Sequence, residues 1–95
     1  MIVLNVTYKC KSGMRDAFLA AIQAEGLDEA CRNEDGNIKY DYYFPAAGGD
    51  EMLLVEKWRD ADVLSVHSNM PHFKRIGELK AQFVEETVLE KYFTE

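Results

Sequence analysis

The sequence predicts a two-layer α+β fold, in which a four-stranded antiparallel sheet carries helices on one face. Segments with the alternation of strands and segments with helical apolar spacing follow one another as strand, helix, strand, strand, helix, strand. The chain has 95 residues, which suits a single domain, residues 1–95, with a thin core. Its apolar fraction of 47% is that of a folded globule. The order βαββαβ is that of a ferredoxin-like sandwich.

The N-terminal third predicts a strand and an interrupted helix. The strand covers Ile2–Lys9, where β-branched and other apolar residues alternate with Asn5 and Thr7. A helix follows, with Ser12 as its N-cap. Its apolar positions recur at helical spacing: Met14, Ala17, Phe18, Ala21 and Ile22. Gly26 interrupts this pattern, which predicts a kink or a short second helix there.

The middle of the chain predicts two consecutive strands. A turn at Asp35-Gly36 precedes a strand over Asn37–Phe44. One face of this strand is expected to carry four apolar residues: Ile38, Tyr40, Tyr42 and Phe44. Residues 45–50 form a loop, and the third strand covers Glu51–Trp58.

The last third predicts a broken helix and a final strand. Asp60 is the expected N-cap of a helix that breaks at Asn69-Met70. Pro71 suits the first turn of a new helix, so the helix restarts there. The apolar side of this second helix is expected to contain Phe73, Ile76, Leu79 and Phe83. The tail from about Phe83 to Phe93 is rich in β-branched and aromatic residues and predicts a strand.

The strands carry apolar residues on both faces, whereas the helices can cover only one face. The uncovered face would expose a larger apolar patch than monomers usually tolerate. We therefore expect a homodimer in which a second copy covers this face, and the aromatic last strand could cross to the partner.

Net charge excludes two classes of partner. A net charge of −6 without a basic stripe argues against nucleic acid and anionic membranes. No basic leader or long apolar run predicts a signal peptide or a membrane span, so a cytoplasmic location is expected. Cys10 and Cys31 are expected to be reduced, small apolar residues.

No metal or cofactor is predicted. His67 and His72 are five residues apart across a helix break, without a cysteine or acidic cluster at ligand spacing. Gly48-Gly49 lies between two strands and lacks the helix and lysine of a phosphate-binding loop. Flavin and nicotinamide motifs are absent, so any oxidation would use the electrons of the substrate.

Four segments, spread over nearly the whole chain, together resemble a known family. They are Lys11-Ser12-Gly13, Glu34 to Tyr40, Glu56-Lys57-Trp58, and Val66 to Lys74. In this order they resemble the antibiotic biosynthesis monooxygenase (ABM) family of small dimeric α-β barrels with ferredoxin-like subunits. Within it, the chain is similar to short bacterial proteins described as quinol monooxygenases, and to a branch that processes a phosphorylated signalling sugar.

The family also contains haem-degrading enzymes and monooxygenases of polyketide phenols, and the chain departs from both. The phenol-contacting tyrosine of the polyketide enzymes falls near Leu64, which cannot donate a hydrogen bond. The haem degraders pair an asparagine and a tryptophan at positions resembling Asn5 and Trp58, but their iron-binding histidine falls near Gly77. The resemblance therefore argues against haem, unless His67 or His72 replaces that ligand.

Four polar or aromatic residues are the main candidates for chemistry. His67 follows an apolar helical pattern and is expected to face the sheet, where a neutral imidazole can take a phenolic proton. Trp58 offers a flat wall and one donor, and Glu56 becomes a base if burial raises its pKa. Asn5 would orient the substrate or oxygen if it lies on the same sheet face. Each also has a purely structural interpretation, as a core anchor, an ion pair or a satisfied amide.

Other aromatic and apolar residues are candidate substrate contacts. Tyr40 and Tyr42 form an aromatic strand, and Met70 and Phe73 could form an apolar lid. Ordinary core packing is the alternative for all of them. His72 is expected to be exposed or to close the mouth of the pocket.

The first functional hypothesis is a homodimeric enzyme that oxidises a small quinol-like or phenolic aromatic with oxygen and no cofactor. His67 would take the proton, Asn5 would orient the reactants and Trp58 would stack on the ring. A second hypothesis is isomerisation of a small polar or phosphorylated carbonyl compound, which would need Arg59, Lys74 or Arg75 near the pocket. A third is a non-catalytic ligand-sensing or stress dimer, which predicts a space filled by side chains.

Overall fold

The computed structural model describes residues 1–95 and contains four strands and four helices. The strands are β1 (Ile2–Cys10), β2 (Asn37–Tyr43), β3 (Glu51–Trp58) and β4 (Val84–Phe93). The helices are α1 (Arg15–Ala24), α2 (Leu27–Arg32), α3 (Ala61–Ser68) and α4 (Pro71–Phe83). The predicted α+β order is confirmed, and each helical connection is divided into two helices, at Gly26 and before Pro71.

The four strands form one antiparallel sheet in the order β2-β3-β1-β4. Residues that pair across neighbouring strands share a sheet face. Ile2 pairs with Trp58, and Leu4 pairs with Glu56. This face lies under the helices and supplies most of the 16-residue core. The ferredoxin-like sandwich is therefore confirmed.

The helix layer leaves β4 largely uncovered. The face of β4 that looks toward the helices carries Thr87, Leu89 and Lys91, which pair with Tyr8, Val6 and Leu4 of β1. Leu89 is 59% exposed, whereas Val6 beside it is 6% exposed. A gap between helices and sheet consequently opens at the β1–β4 side of the molecule.

The start of α3 is fixed by a cap and by a close glycine contact. The Oδ1 atom of Asp60 accepts a hydrogen bond from the Val63 amide at 3.0 Å, as the sequence predicted. Gly36 packs directly against Val63, and a Cβ atom at Gly36 would lie 2.6 Å from Val63 Cγ1. Gly36 also has a φ of +85°, which favours glycine. The turn before β2 thus holds α3 close to the sheet.

Three local predictions are wrong. Ser12 does not cap α1; the capping position is Met14, which makes no side-chain hydrogen bond. Ile38 does not share the face of Tyr40, because the register shifts between Asn37 and Lys39 and leaves Ile38 56% exposed. Phe44 lies outside β2, where the Arg15 guanidinium lies 3.8 Å from its ring centre.

All the helices are too short or too polar to cross a lipid bilayer.

Candidate functional site

A cavity of about 290 Å³ occupies the gap between α3, α4 and the β1–β4 side of the sheet. Six of its twelve lining residues are hydrophobic. The lining consists of Leu4, Val6, Tyr8, Glu56, Leu64, His67, Ser68, Phe73, Lys80, Thr87, Leu89 and Lys91. An apolar hollow with a few converging polar groups is typical of a small-molecule site.

His67 reaches this cavity from α3 and is 3% exposed. Val63 and His67 are four residues apart, so both lie on the face of α3 that points to the sheet. The imidazole packs on Trp58, with ring centres 4.4 Å apart, and against the edge of Phe73 at 5.1 Å. The prediction that His67 faces the sheet is confirmed.

Glu34 lies between the two histidines. Its Oε2 atom is 2.6 Å from Nδ1 of His67 and 2.8 Å from Nε2 of His72. When each of these nitrogens carries a proton, both imidazoles donate to one carboxylate oxygen, and Nε2 of His67 is left as an acceptor. The Glu34 side chain is 5% exposed, and its Oε1 atom is buried without a hydrogen-bond partner. Such a costly buried carboxylate is typical of a functional site.

Glu56 lies on the other side of His67. Its Oε1 atom accepts a hydrogen bond from Nε1 of Trp58 at 3.0 Å and lies 3.7 Å from Nε2 of His67. Burial raises the pKa of Glu56 from 4.5 to about 7, although the Trp58 hydrogen bond opposes this shift. Burial also lowers the pKa of His67, and the hydrogen bond and charge of Glu34 oppose that shift. The site therefore holds two proton-exchanging groups side by side, and burial favours the neutral form of both.

Three of the eight predicted site residues line the cavity: Glu56, His67 and Phe73. Trp58 is fully buried and lies behind His67, so its predicted place against a substrate ring is wrong. It supports the imidazole and donates to Glu56 instead. Tyr40 is 3% exposed and packs in the core, 6.2 Å from the His67 ring. Tyr42 and Met70 are half-buried outside the lining.

Asn5 lies on the opposite face of the sheet. It pairs with Val55, whereas its neighbour Leu4 pairs with Glu56 on the face under the helices. The condition for grouping Asn5 with Glu56 and Trp58, a shared face, is therefore not met. The sequence alone did not determine whether Asn5 shares a sheet face with Glu56, because this depends on the register between β1 and β3.

Glu34, Lys80 and Lys91 were not predicted as site residues from the sequence. Glu34 belongs to a polar run before a turn, and nothing local distinguishes it from the exposed Asp35 beside it. His72, expected to be exposed or to close the mouth of the pocket, is 16% accessible, is bonded to Glu34 and does not line the cavity. Lys80 and Lys91 resemble ordinary surface lysines in the sequence, yet both line the cavity.

The same cluster brings together four residues with metal-ligand chemistry. Ligand-type atoms of Cys31, Glu34, His67 and His72 all lie within 4.8 Å of one another. Contrary to the expectation from the sequence, a cysteine and a carboxylate therefore accompany the histidines. Separations of 2.6 and 2.8 Å from Glu34 to the imidazoles are hydrogen-bond distances. Nitrogen and oxygen ligands each ~2.0 Å from a tetrahedral zinc ion would lie farther apart, so this geometry favours a shared-proton network.

The cations proposed for a phosphorylated substrate lie elsewhere. Arg59 pairs with Asp35 and Asp60, and Arg75 pairs with Glu25 and Glu78. Neither of them lines the cavity, and neither does the exposed Lys74.

Comparison with known proteins identifies the family. Residues 1–79 match the family model described as "Antibiotic biosynthesis monooxygenase". The chain is 32% identical over 74 residues to a Bacillus subtilis protein named "Putative monooxygenase YcnE", covering 78% of this chain and 76% of that protein. It is 40% identical over 62 residues to "Putative monooxygenase Rv0793" of Mycobacterium tuberculosis, covering 61% and 60%.

Solved structures agree with the fold. PA3566 from Pseudomonas aeruginosa superposes with a TM-score of 0.87 at 22% identity, covering 99% of this chain and 93% of that one. A structure from Nitrosomonas europaea, described as a "Putative antibiotic biosynthesis monooxygenase", superposes with a TM-score of 0.88 at 21% identity, covering 99% and 98%. The family-model match spans β1, β2, β3, α3 and most of α4, including both histidines and both buried glutamates, and ends before β4. This chain belongs to the antibiotic biosynthesis monooxygenase family.

Proposed function

We propose that this protein is a cofactor-independent monooxygenase that oxidises a small quinol-like or phenolic aromatic with molecular oxygen. The observation that carries the proposal is the Glu34–His67 contact of 2.6 Å at the wall of a small, half-apolar cavity. A carboxylate on one imidazole nitrogen fixes the tautomer and directs the other nitrogen to act as a base. Family membership supports the reaction class.

In this mechanism Nε2 of His67 takes the proton of a phenolic hydroxyl. The resulting phenolate is electron-rich enough to react with oxygen, which forms a C–O bond to the ring as a hydroperoxide. Loss of water then breaks the O–O bond and leaves a carbonyl. For hydroquinone the balance is one hydroquinone and one O₂ to one hydroxyquinone and one water, so the substrate supplies all four electrons.

The protein supplies proton transfer and position. Glu34 orients His67 and stabilises the imidazolium after proton transfer, because its carboxylate accepts from Nδ1. Glu56, with a pKa raised to about 7, can supply the proton that lets the distal oxygen leave as water when the O–O bond breaks. The apolar part of the lining, which includes Leu64 and Phe73, excludes water from the ring.

Oxygen uptake with a panel of substituted hydroquinones tests the proposal. Wild type should consume one O₂ per substrate without releasing hydrogen peroxide, which separates monooxygenation from autoxidation. His67→Gln should lower the rate by ~100-fold or more, since it removes the general base. Val66→Ala, an exposed position on the same helix, should keep the wild-type rate. Wild-type uptake no faster than in buffer across the panel would overturn the proposal.

Isomerisation of a small polar carbonyl compound is the second candidate. The 3.7 Å separation of Glu56 Oε1 and His67 Nε2 favours it, because such a pair can move a proton between neighbouring carbons. Deuterium exchange into the substrate without oxygen uptake would distinguish this reaction. The third hypothesis, a non-catalytic dimer, predicts that side chains fill the space between the helices and the sheet. The cavity of about 290 Å³ argues against it.

We also propose that the active form is a cytoplasmic homodimer. The sheet face away from the helices carries half-buried apolar residues, among them Val3, Leu53 and Val55, with no layer above them. Tyr92 and Phe93 at the end of β4 are 49% and 76% exposed. Covering such a face with a second copy would bury apolar area that a thin single subunit cannot bury alone.

A further inference from the structure

Two lysines line the cavity without a carboxylate partner. Lys80 comes from α4 and Lys91 from β4. Neither forms one of the ion pairs of the protein, although the chain has 17 acidic and 11 basic residues. Arg75, on the same helix as Lys80, is held by two glutamates. Both cavity lysines are therefore available to an anion.

The two lysines lie at different levels of the cavity. Lys91 pairs with Leu4, which also pairs with Glu56, so Lys91 and Glu56 flank the same residue of β1. The Nζ atom of Lys80 lies 5.6 Å from the ring centre of Tyr8, four residues farther along β1. That spacing corresponds to ~13 Å along the strand. A ligand can consequently reach His67 with one end and the Lys80 region with the other.

The other ionisable groups of the lining do not cancel these charges. Burial raises the pKa of the Tyr8 phenol, so Tyr8 stays neutral. Glu56 is the only carboxyl group in the lining, and burial raises its pKa to about 7. Burial lowers the pKa of His67, which leaves its imidazole mostly neutral. The lining therefore has two ammonium groups and one carboxyl group, and the Glu34 carboxylate, 2.6 Å from His67, lies outside the lining. The positive charge is concentrated at the lysines, where it attracts anions.

The rest of the lining indicates which anion fits. Six hydrophobic side chains favour an aromatic ring over a sugar. No arginine and no glycine-rich loop lines the cavity, so two common phosphate-binding devices are missing from it. Ammonium groups and the hydroxyl of Thr87 suit a single carboxylate, whereas the Ser68 hydroxyl already donates to the Leu64 carbonyl oxygen. At about 290 Å³, the cavity accommodates a ligand of one or two rings.

We propose that the ligand of this cavity is an aromatic carboxylate, held by Lys80 with its phenolic hydroxyl toward His67, while Lys91 adds positive charge near the His67 end of the cavity. Lys80 makes the larger contribution, because it is half-buried whereas Lys91 is exposed. The phenolic end of this inference rests on the proposed function. The carboxylate end does not depend on catalysis, so it can be measured separately.

The test is anaerobic binding of a matched pair, 2,5-dihydroxybenzoate and its neutral amide, 2,5-dihydroxybenzamide. Isothermal titration gives the affinities, and the fluorescence of the single tryptophan, which lies against His67, reports occupation. The acid should bind ~10-fold more tightly than the amide at low salt, and added salt should reduce the difference. The double variant with Lys80→Met and Lys91→Met should bind the acid and the amide with affinities within ~2-fold of each other. Lys74→Met, exposed on the same helix and outside the lining, should leave the acid-to-amide affinity ratio unchanged.

Equal affinity for acid and amide in wild type, no binding of either, or an unchanged acid-to-amide affinity ratio in the double variant would overturn the inference. Glycerol 3-phosphate binding more tightly than the aromatic acid would assign the lysines to a phosphate and also overturn it. Tight binding of the acid without oxygen uptake would retain the carboxylate site and reject the monooxygenase. Oxygen uptake with neutral hydroquinones but not with the acid would retain the monooxygenase and reject the carboxylate site.

Discussion

Glu34 holds one carboxylate oxygen 2.6 Å from Nδ1 of His67 and 2.8 Å from Nε2 of His72. This contact decides what His67 can do. A lone buried imidazole can adopt either tautomer, whereas one that donates from Nδ1 leaves Nε2, 3.7 Å from Glu56 Oε1, as an acceptor. The carboxylate also favours the protonated imidazole, which is the state that follows proton transfer. Glu34 therefore acts through His67 rather than on the substrate.

Substituting Glu34 tests this positioning role. Glu34→Gln should lower the pKa of His67 further, because the negative charge that opposes burial is removed. NMR titration measures this directly, since the chain has only two histidines. Turnover should fall ~10- to 100-fold. Glu29→Gln, exposed on α2, should change neither quantity. An unchanged His67 pKa in Glu34→Gln would contradict the assignment.

Glu56 makes stability depend on pH. Its folded pKa of about 7 exceeds the ordinary value of 4.5, so the folded state holds this proton more tightly than the unfolded state. The resulting stabilisation is fully present below pH 4.5 and is lost as pH rises through 7. Glu56→Gln removes the titration and keeps an oxygen for the Trp58 indole.

Relative to wild type, Glu56→Gln should gain ~1–3 kcal/mol of stability between pH 5 and pH 8, since one pKa unit corresponds to ~1.4 kcal/mol. Urea denaturation of both proteins at the two pH values measures this. A difference between the proteins that is the same at pH 5 and pH 8 would show that Glu56 does not titrate in this range.

At the scale of elements, the site depends on how the turn before β2 meets α3. Gly36 accepts a hydrogen bond from the Arg59 amide at 2.9 Å through its carbonyl oxygen, and its Cα packs against Val63. His67 is one turn farther along α3 than Val63. Glu34 is two residues before Gly36. The Gly36–Val63 contact therefore brings Glu34 and His67 within hydrogen-bonding distance of each other.

Gly36→Ala should therefore destabilise the fold and displace α3. The left-handed backbone costs ~1–2 kcal/mol for a residue with Cβ, and the overlap with Val63 adds ~1–3 kcal/mol. Gly48→Ala is a matched control, because its φ is +80° but nothing lies within 4 Å of the added Cβ. Urea denaturation should show a clearly larger loss for Gly36→Ala. Equal losses would mean that the Val63 contact is unimportant.

At the scale of the whole molecule, one sheet face carries the helices and the other has no covering layer. Asn5 and Val55 lie near the middle of that second face. Pairing this face with its copy would place Asn5 at a subunit interface, remote from His67. The amide would then find its hydrogen bonds in the interface, which suits a polar residue in a strand interior.

We expect the protein to sediment as twice its chain mass of 10.9 kDa at micromolar concentration. Val55→Lys should shift it to the mass of one chain, because an ammonium group in an apolar interface is costly. Val66→Lys, on the exposed side of α3, should remain dimeric. A wild-type monomer, or a dimer that survives Val55→Lys, would place the interface elsewhere.

Much of the fold could be predicted because its signals are local. The bounds of β3, the Asp60 cap, the restart at Pro71 and the inward direction of His67 all follow from neighbours within a few residues. Ile38 was misplaced because a register shift interrupts the alternation, and a bulge has no reliable signal in a single strand.

The sequence by itself determined the order of elements, the family and the histidine that faces the sheet. Only the tertiary structure decided that Glu34 bonds to histidines 33 and 38 residues away, that Asn5 lies on the far face, and that Lys80 and Lys91 enter the cavity. Helix and strand periodicity depend on neighbours within one turn or one pleat. Contacts between distant segments depend instead on strand register and on how closely α3 and α4 approach the sheet, and no local pattern encodes those quantities.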